Sequence, residues 1–247
     1  RIVRDWLCYF GGMADKIVIL TGAGISAESG LGTFRDEGGL WAKHRIQDVA
    51  TPEGFAHDPA LVHGFYNARR AQAAEATPNP AHEALARLQR DWPGEVVIVT
   101  QNVDGLHEKA GAEVIHMHGA LDSALCHACG HRWPAPPEMV VGEPCPACGA
   151  GAGRPDVVWF GEMPYHMDRI EEHLLTCDLF AAVGTSGKVY PAAGFVEEAT
   201  FAGARTVELN LSDSDVSRIF QEHRVGPASR IVPEWVAALL RGIPSCA

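Results

Sequence analysis

The sequence has little of what marks a nucleic-acid binder, a membrane protein or a disulfide scaffold. Basic residues are outnumbered: 20 Lys and Arg stand against 31 Asp and Glu, for a formal net charge of -11. A chain this acidic gains little by approaching a phosphate backbone, so nucleic acid is not an expected partner. The acidity would suit a basic protein partner and is equally ordinary for a bacterial cytosolic enzyme. No apolar run approaches the ~20 residues of a membrane span, so no membrane partner is expected either. The segment Arg1–Gly12 is too short for a secretory signal and has no small-residue cleavage site. It reads as an upstream extension or tag before a natural start at Met13. Repeats and low-complexity tracts are missing. What is there is 247 residues, 47% hydrophobic and 21% charged, enough for one large domain or a domain with a small insert. A cytoplasmic monomer is expected.

Seven cysteines would suggest disulfides in a small secreted chain, but this chain is long and four of them form two C-x-x-C pairs, Cys126 with Cys129 and Cys145 with Cys148. Two residues between thiolates let one tight turn point both sulfurs at a single ion, and two such turns complete a tetrahedral zinc site. Gly130 and Gly149 follow the second cysteine of each pair, where a knuckle needs unusual backbone angles. The alternative is a redox-active C-x-x-C pair. With four protein ligands no coordination position is open, so the zinc is structural, and His127 and His131 are expected to be exposed rather than ligating. Residues 122–155 are rich in Cys, Pro and Gly and lack apolar periodicity. Such a stretch cannot build its own core and reads as a metal-stapled insert.

Elsewhere the chain alternates. Lys16–Leu20 (KIVIL), Glu95–Thr100 (EVVIVT), Asp178–Val183 (DLFAAV) and Arg205–Leu209 (RTVEL) are short β-rich runs, each followed by polar or glycine residues. Helical stretches lie near 59–76, 80–91, 167–176 and 191–203. Strands alternating with helices predict an α/β fold: a parallel sheet covered on both faces.

Gly22-Ala23-Gly24-Ile25-Ser26-Ala27 follows the first strand and opens a helix, fitting a turn that brings backbone N–H groups to a pyrophosphate. A hydride-transferring dehydrogenase would place an acid on a second strand ~20 residues on. Residues 33–47 instead form a glycine-rich polar loop with Phe34, Arg35 and Trp41. That favours nucleotide binding without the dehydrogenase arrangement. Gln101-Asn102-Val103-Asp104 follow the second strand, where open α/β sheets bind ligands, although Asn102 or Asp104 could equally be a helix cap. His116 and His118 share a face in a regular strand, so spacing does not choose between them. Glycine directly after His118 weakly favours it as a general base. Gly184-Thr185-Ser186 and Asn210 also sit at strand ends, suited to ribose and phosphate.

Together these pieces resemble the sirtuin family over roughly residues 14–242. The motifs run GAGISAESGLGTFR, TQNVDGLH, HG, the two C-x-x-C pairs, RPDVVWFGE, GTSGKVYPAAGF, ELN and GPAS. The resemblance implies a Rossmann-type NAD-binding domain, about 14–121 and 156–243, with a zinc-ribbon insert about 122–155. It implies a protein-lysine deacylase that consumes NAD as a co-substrate and carries structural Zn2+. Acyl-lysine proteins or peptides would be its partners. It assigns NAD contacts to Gly22, Ala23, Gly24, Ser26, Ala27, Glu28, Phe34, Arg35, Trp41, Gln101, Asn102, Asp104, Gly184, Thr185, Ser186, Asn210, Leu211, Ser212 and Ala228. His118, with Asn102 and Asp104, would be catalytic. Val158, Phe160, Gly161, Glu162 and Val189 would line the acyl-lysine tunnel and pair with the peptide backbone. The products would be free lysine, nicotinamide and O-acyl-ADP-ribose. One departure is Gly32, where many members have proline, which should loosen the cofactor loop.

Tyr66 and Arg69 are three apart, hence on one helical face, where a hydroxyl and a guanidinium fork could hold a carboxylate. The pair matches the Tyr-x-x-Arg of class III sirtuins, implying succinyl- and malonyl-lysine as substrates beside acetyl-lysine. The competing readings are a helix surface on which Arg69 pairs with an acid such as Glu75, a plain deacetylase, or a mono-ADP-ribosyltransferase on the same fold. A zinc-ribbon nucleic-acid adaptor would need a basic face that the cysteine segment lacks.

Overall fold

The computed structural model describes residues 14–32 and 44–242. Residues 1–13 and the candidate residues Phe34, Arg35 and Trp41 lie outside the described residues. Nine strands follow in chain order: β1 (Lys16–Thr21), β2 (Glu95–Thr100), β3 (Val114–His116), β4 (Gly119–Cys126), β5 (Arg132–Pro134), β6 (Gly153–Val157), β7 (Leu179–Val183), β8 (Arg205–Asn210) and β9 (Glu222–Val225). The helices are α1 (Ala23–Ser26), α2 (Ile46–Val49), α3 (Pro52–His57), α4 (Pro59–Glu75), α5 (Pro80–Asp91), α6 (Leu106–Lys109), α7 (Met167–Thr176), α8 (Phe195–Phe201) and α9 (Ala228–Arg241). The apolar stretch near 191–203 is thus a 3-10 turn at Ala192–Gly194 running into α8.

Six strands pair in the order β3-β2-β1-β7-β8-β9, every neighbour parallel. Their apolar runs reflect burial on both faces. Ile17 and Ile19 of β1 turn to one side, against Leu85 and Leu88 of α5 and Trp235 and Val236 of α9. Val18 and Leu20 turn to the other, against Ile170 and Leu174 of α7 and Phe195 and Val196 of α8. Each such side chain contributes roughly 1.5–3 kcal/mol on full burial. A second sheet, antiparallel, orders β5-β4-β6 and carries the cysteines.

Helix starts are written plainly in the chain. Thr51, Asp58 and Asn79 each precede a proline, and each side chain accepts from a backbone N–H of the first turn. A cap oxygen followed by proline satisfies one orphan donor and needs no second. At the far end of α4 the Lys109 ammonium donates to the carbonyls of Ala73, Ala74 and Ala76. A third apolar cluster joins Val62, Phe65 and Tyr66 of α4 to Leu121, Val157 and Trp159, so the helical segment between β1 and β2 shares a core with the small sheet. Among the described residues no helix is long and apolar enough to cross a membrane.

Candidate active site

The chain leaves β1 toward β2 on one side and returns to β7 on the other, so β1 and β7 flank the point where strand order reverses. Crevices at such points bind ligands in open α/β sheets. Two glycine turns meet there. The Gly22 N–H donates to the Val183 carbonyl at 3.0 Å and the Gly24 N–H to the Gly184 carbonyl at 2.9 Å. A Cβ on Gly24 would lie 2.7 Å from Gly184 Cα, and one on Gly184 (φ +63°) 2.4 Å from the Ile25 nitrogen. Only glycines allow the two turns to interlock.

Polar side chains from three other segments converge on this point. The Ser26 hydroxyl donates to Asp104 Oδ2 at 3.1 Å and accepts from Asn102 Nδ2 at 3.1 Å. Asn102 Nδ2 also donates to the Gly22 carbonyl at 3.1 Å, which leaves its Oδ1 as the group it can offer a ligand. Asp104 accepts the Leu106 N–H as well; burial raises its pKa, and these hydrogen bonds oppose the rise. Asn210 donates to the Thr185 carbonyl at 2.6 Å. Glu28 accepts both the N–H and the hydroxyl of Ser229 at 2.9 and 2.7 Å, tying the turn after α1 to the start of α9 beside Ala228. Gln101, Thr185 and Val189 line one small cavity. Leu211 and Ser212 lie exposed in the loop after β8. The NAD contacts that the resemblance implies thus lie around the ends of β1, β2, β7 and β8, with Glu28 in the turn after α1 and Ala228 at the start of α9, apart from Phe34, Arg35 and Trp41 outside the described residues.

The two histidines differ in what they touch. His118 Nδ1 donates to the Gln101 carbonyl at 3.1 Å, which leaves Nε2 as the lone-pair nitrogen. Burial lowers its pKa, partly opposed by that hydrogen bond, so the ring is neutral at neutral pH. His116 uses both nitrogens, Nδ1 on the Asn102 carbonyl at 2.9 Å and Nε2 on Glu108 Oε1 at 2.6 Å. Burial would depress its pKa, but Glu108 more than offsets this and raises it. His118 can therefore accept a proton, and His116 is a clamp. Gly119 has φ +79°, and a Cβ there would sit 2.0 Å from the Asp156 carbonyl. The glycine after His118 is required by the close pass of β6.

In α4, Tyr66 is buried and its hydroxyl accepts the Trp159 indole N–H at 3.0 Å. Its own O–H remains a donor. The Arg69 guanidinium carbon lies 5.8 Å from the Phe65 and Tyr66 ring centres. Burial lowers its pKa, and the Tyr66 oxygen and Asp104 act in the opposite direction. Tyr66, Arg69 and Asp104 therefore form one electrostatic neighbourhood. In the segment Val158–Glu162 most amide donors are already engaged: Val158 on the His118 carbonyl, Phe160 on the Ala50 carbonyl, Trp159 on the Glu162 carboxylate and Glu162 on the Trp159 carbonyl. A peptide pairing here would meet mainly carbonyls and the turn at Gly161. The Glu162 carboxylate is held by both Arg154 nitrogens, at 2.6 and 2.9 Å, so it braces the segment.

The four cysteines close on one point. Their sulfurs all lie within 4.8 Å of one another, with Cys126–Cys148 and Cys129–Cys145 at 3.7 Å. Zinc–sulfur bonds of ~2.3 Å imply a tetrahedral edge of ~3.8 Å, so the donor set fits Zn2+. Both knuckles have the same wiring: Gly130 N–H to the Cys126 carbonyl and Gly149 N–H to the Cys145 carbonyl, each 2.8 Å. Both glycines have positive φ, and His127 and His131 are exposed.

A model of the Sir2 family matches residues 22–191. The chain belongs to the Sir2 family. An NAD-dependent protein deacylase of Bdellovibrio bacteriovorus is 55% identical over 229 residues, covering 91% of this chain and 97% of that protein. A Sir2 homologue solved with NAD is 36% identical with a TM-score of 0.85, covering 92% of this chain and 90% of that one. A Sir2 solved with an inhibitor, 2'-O-acetyl-ADP-ribose and a deacetylated p53 peptide is 25% identical with a TM-score of 0.78, covering 95% and 96%.

Several residues that shape this Sir2 site are not singled out by the sequence. His82 lies 3.4 Å from the Ser26 hydroxyl and also completes the cap of α5, where its place three residues after Asn79 was the available signal. His107 meets the Thr21 hydroxyl at 3.0 Å. Burial drives both histidines down, to about 4 for His82 and about 3 for His107. Trp159 braces Tyr66 and Arg154 braces Glu162, and only tertiary contact reveals them.

Proposed function

We propose that this Sir2 family member removes acyl groups from protein lysines while consuming NAD, and that acyl groups ending in a carboxylate, succinyl and malonyl, are among its substrates. The observation that carries the deacylase reading is the neutral His118, tethered at Nδ1 beside the interlocked glycine turns and the Asn102–Ser26–Asp104 network. Bound NAD supplies an electrophilic ribose carbon and a departing nicotinamide. The residues do the rest. The turns at Gly22–Ser26 and Gly184–Ser186, with Asn210, hold the dinucleotide. Asn102 presents Oδ1, and Asp104 fixes Ser26 and the start of α6. His118 Nε2 takes a ribose hydroxyl proton, so that the oxygen can capture the acyl group. Val158–Glu162 and Val189 receive the lysine, and four thiolates hold a structural Zn2+.

For the acyl group, Tyr66 O–H and the Arg69 fork are the donors suited to a terminal carboxylate. Acyl-lysine proteins are the proposed partners, and a cytoplasmic monomer the proposed state. The test is mass spectrometry of acyl-lysine peptides incubated with NAD. Free lysine, nicotinamide and O-acyl-ADP-ribose should appear in equal amounts. Modified protein without free lysine would indicate an ADP-ribosyltransferase instead.

A further inference from the structure

Away from the strand ends, a cavity of about 450 Å3 opens between α3, the start of α4 and the cysteine module. This is within the size range of small-molecule sites. Its walls include Phe55, His63, His127, Trp159 and Arg154. His63 is 3% exposed, yet neither ring nitrogen has a hydrogen-bond partner among the described residues. A buried polar group without a partner is costly, and such groups call for an explanation. The Phe55 ring meets it edge-on at 5.5 Å. Arg154 does not fill the need, because its guanidinium is held by Glu162 and the Val157 carbonyl. Burial keeps the His63 ring neutral, opposed by Glu143 and reinforced by Arg70. Among the described lining residues the cavity thus has largely apolar and aromatic walls, an Arg154 already held by Glu162, and two imidazoles, the exposed His127 and the buried, unpartnered His63. With Arg154 committed and no lysine in the lining, the cavity suits a flat, largely apolar molecule with a single hydroxyl better than a phosphate or a carboxylate.

The same cavity touches the acyl side. Trp159 packs on Phe55 at 5.2 Å between ring centres, lies 3.5 Å from the Arg154 guanidinium carbon and donates its indole N–H to Tyr66. Anything pressing on Trp159 from the cavity acts on the hydroxyl proposed to read the acyl group. We propose that this cavity is a regulatory site for a small flat apolar ligand bearing one hydroxyl, bonded to His63, and that its occupancy alters acyl preference through Trp159 and Tyr66. The second half rests on the proposed role of Tyr66; the first does not.

Calorimetry with 2-naphthol as probe, on the full chain, separates the two. One saturable site is expected. Ala56→Phe, at an exposed position on the rim, should abolish it without disturbing the fold. His63→Leu should weaken it about tenfold, the worth of one hydrogen bond. Saturating 2-naphthol should then change the succinyl-to-acetyl ratio of kcat/KM by about fivefold in wild type and leave it unchanged in Ala56→Phe. No heat with wild type, or binding indifferent to both substitutions, overturns the site. Binding with an unmoved ratio overturns the coupling. If neither peptide is turned over, the deacylase reading has failed, and the calorimetry still decides the site.

Discussion

The parallel sheet buries apolar side chains on both of its faces, from Ile17 and Val18 through Phe180 to Leu209. In the cysteine module, by contrast, the buried cluster is only Cys126, Cys145 and Ala152, with Trp133 and Ala150 packed against it. The first region holds its shape by removing hydrocarbon from water; the second has too little hydrocarbon to do so and must be held by metal. A substitution at the sheet ends should therefore change chemistry alone, and one at the cysteines should change the fold. Sheet-end residues such as His118 project from a scaffold stable without them. The cysteines are the scaffold of their own module.

The largest effect expected is on that module. Cys145→Ser should release zinc, unfold residues near 126–153 and abolish activity, while the circular dichroism of the sheet and its helices persists. Metal analysis of wild type should give one zinc per chain. A cysteine variant that keeps both its metal and its fold would erase the contrast between the two regions. Next in size, His118→Ala should lower kcat by roughly 100- to 10,000-fold, the usual contribution of a general base, with melting temperature little changed. His116→Ala should cost less, because its ring holds the Asn102 carbonyl and Glu108 rather than accepting a proton. Equal losses in two folded variants would cancel the distinction drawn between them.

Smaller and more selective is Arg69→Met. A charge-assisted hydrogen bond contributes ~1.5–3 kcal/mol, so desuccinylation should fall by roughly one to two orders of magnitude. Deacetylation should change much less, since acetyl offers no carboxylate. Tyr66→Phe should act in the same sense and more weakly. A common factor on both reactions would make Arg69 structural.

The last prediction concerns stability and pH. His82 and His107 are buried with pKa values lowered to about 4 and about 3. The unfolded chain takes up those protons near 6.5, and the folded chain does not until lower pH. Their contribution is therefore complete above pH 6.5 and is lost as pH falls through the window down to about 4 and about 3, at about 1.4 kcal/mol per pH unit per histidine. Urea unfolding from pH 7 to pH 4 should show the decline, and His107→Asn should flatten it. A slope unchanged by that substitution would assign the acid sensitivity to other groups.

Much of this was legible in the chain because its physical cause is local. Runs such as KIVIL and EVVIVT are apolar at consecutive inner positions because both faces are covered, and the helices expected near 59–76 and 80–91 start at Asp58-Pro59 and Asn79-Pro80, whereas the short helix after Thr51-Pro52 was not expected. Strand β9 was not legible: at the sheet edge its residues alternate between partly buried and exposed, so EHRV shows no apolar run. Strand β6 escaped for the opposite reason. It buries Arg154 and Asp156 by pairing them with Glu162, Arg132, Ser123 and Tyr165, and composition does not show such pairing. The strand-end residues were legible as a set, but the choice between His116 and His118 depends on the Gln101 and Asn102 carbonyls, which only the fold brings near. Trp159 and Tyr66 are 93 residues apart, and no local pattern joins them.

The most direct test is a competition in one tube. Wild-type protein, NAD and equal amounts of a succinyl-lysine and an acetyl-lysine peptide of the same sequence are followed by mass spectrometry. Loss of both acyl groups is expected, with one nicotinamide released per lysine freed and succinyl-lysine consumed at least as fast as acetyl-lysine. Loss of acetyl alone would contradict the carboxylate-reading role of Tyr66 and Arg69, and acyl loss without nicotinamide release would contradict the NAD chemistry assigned to His118.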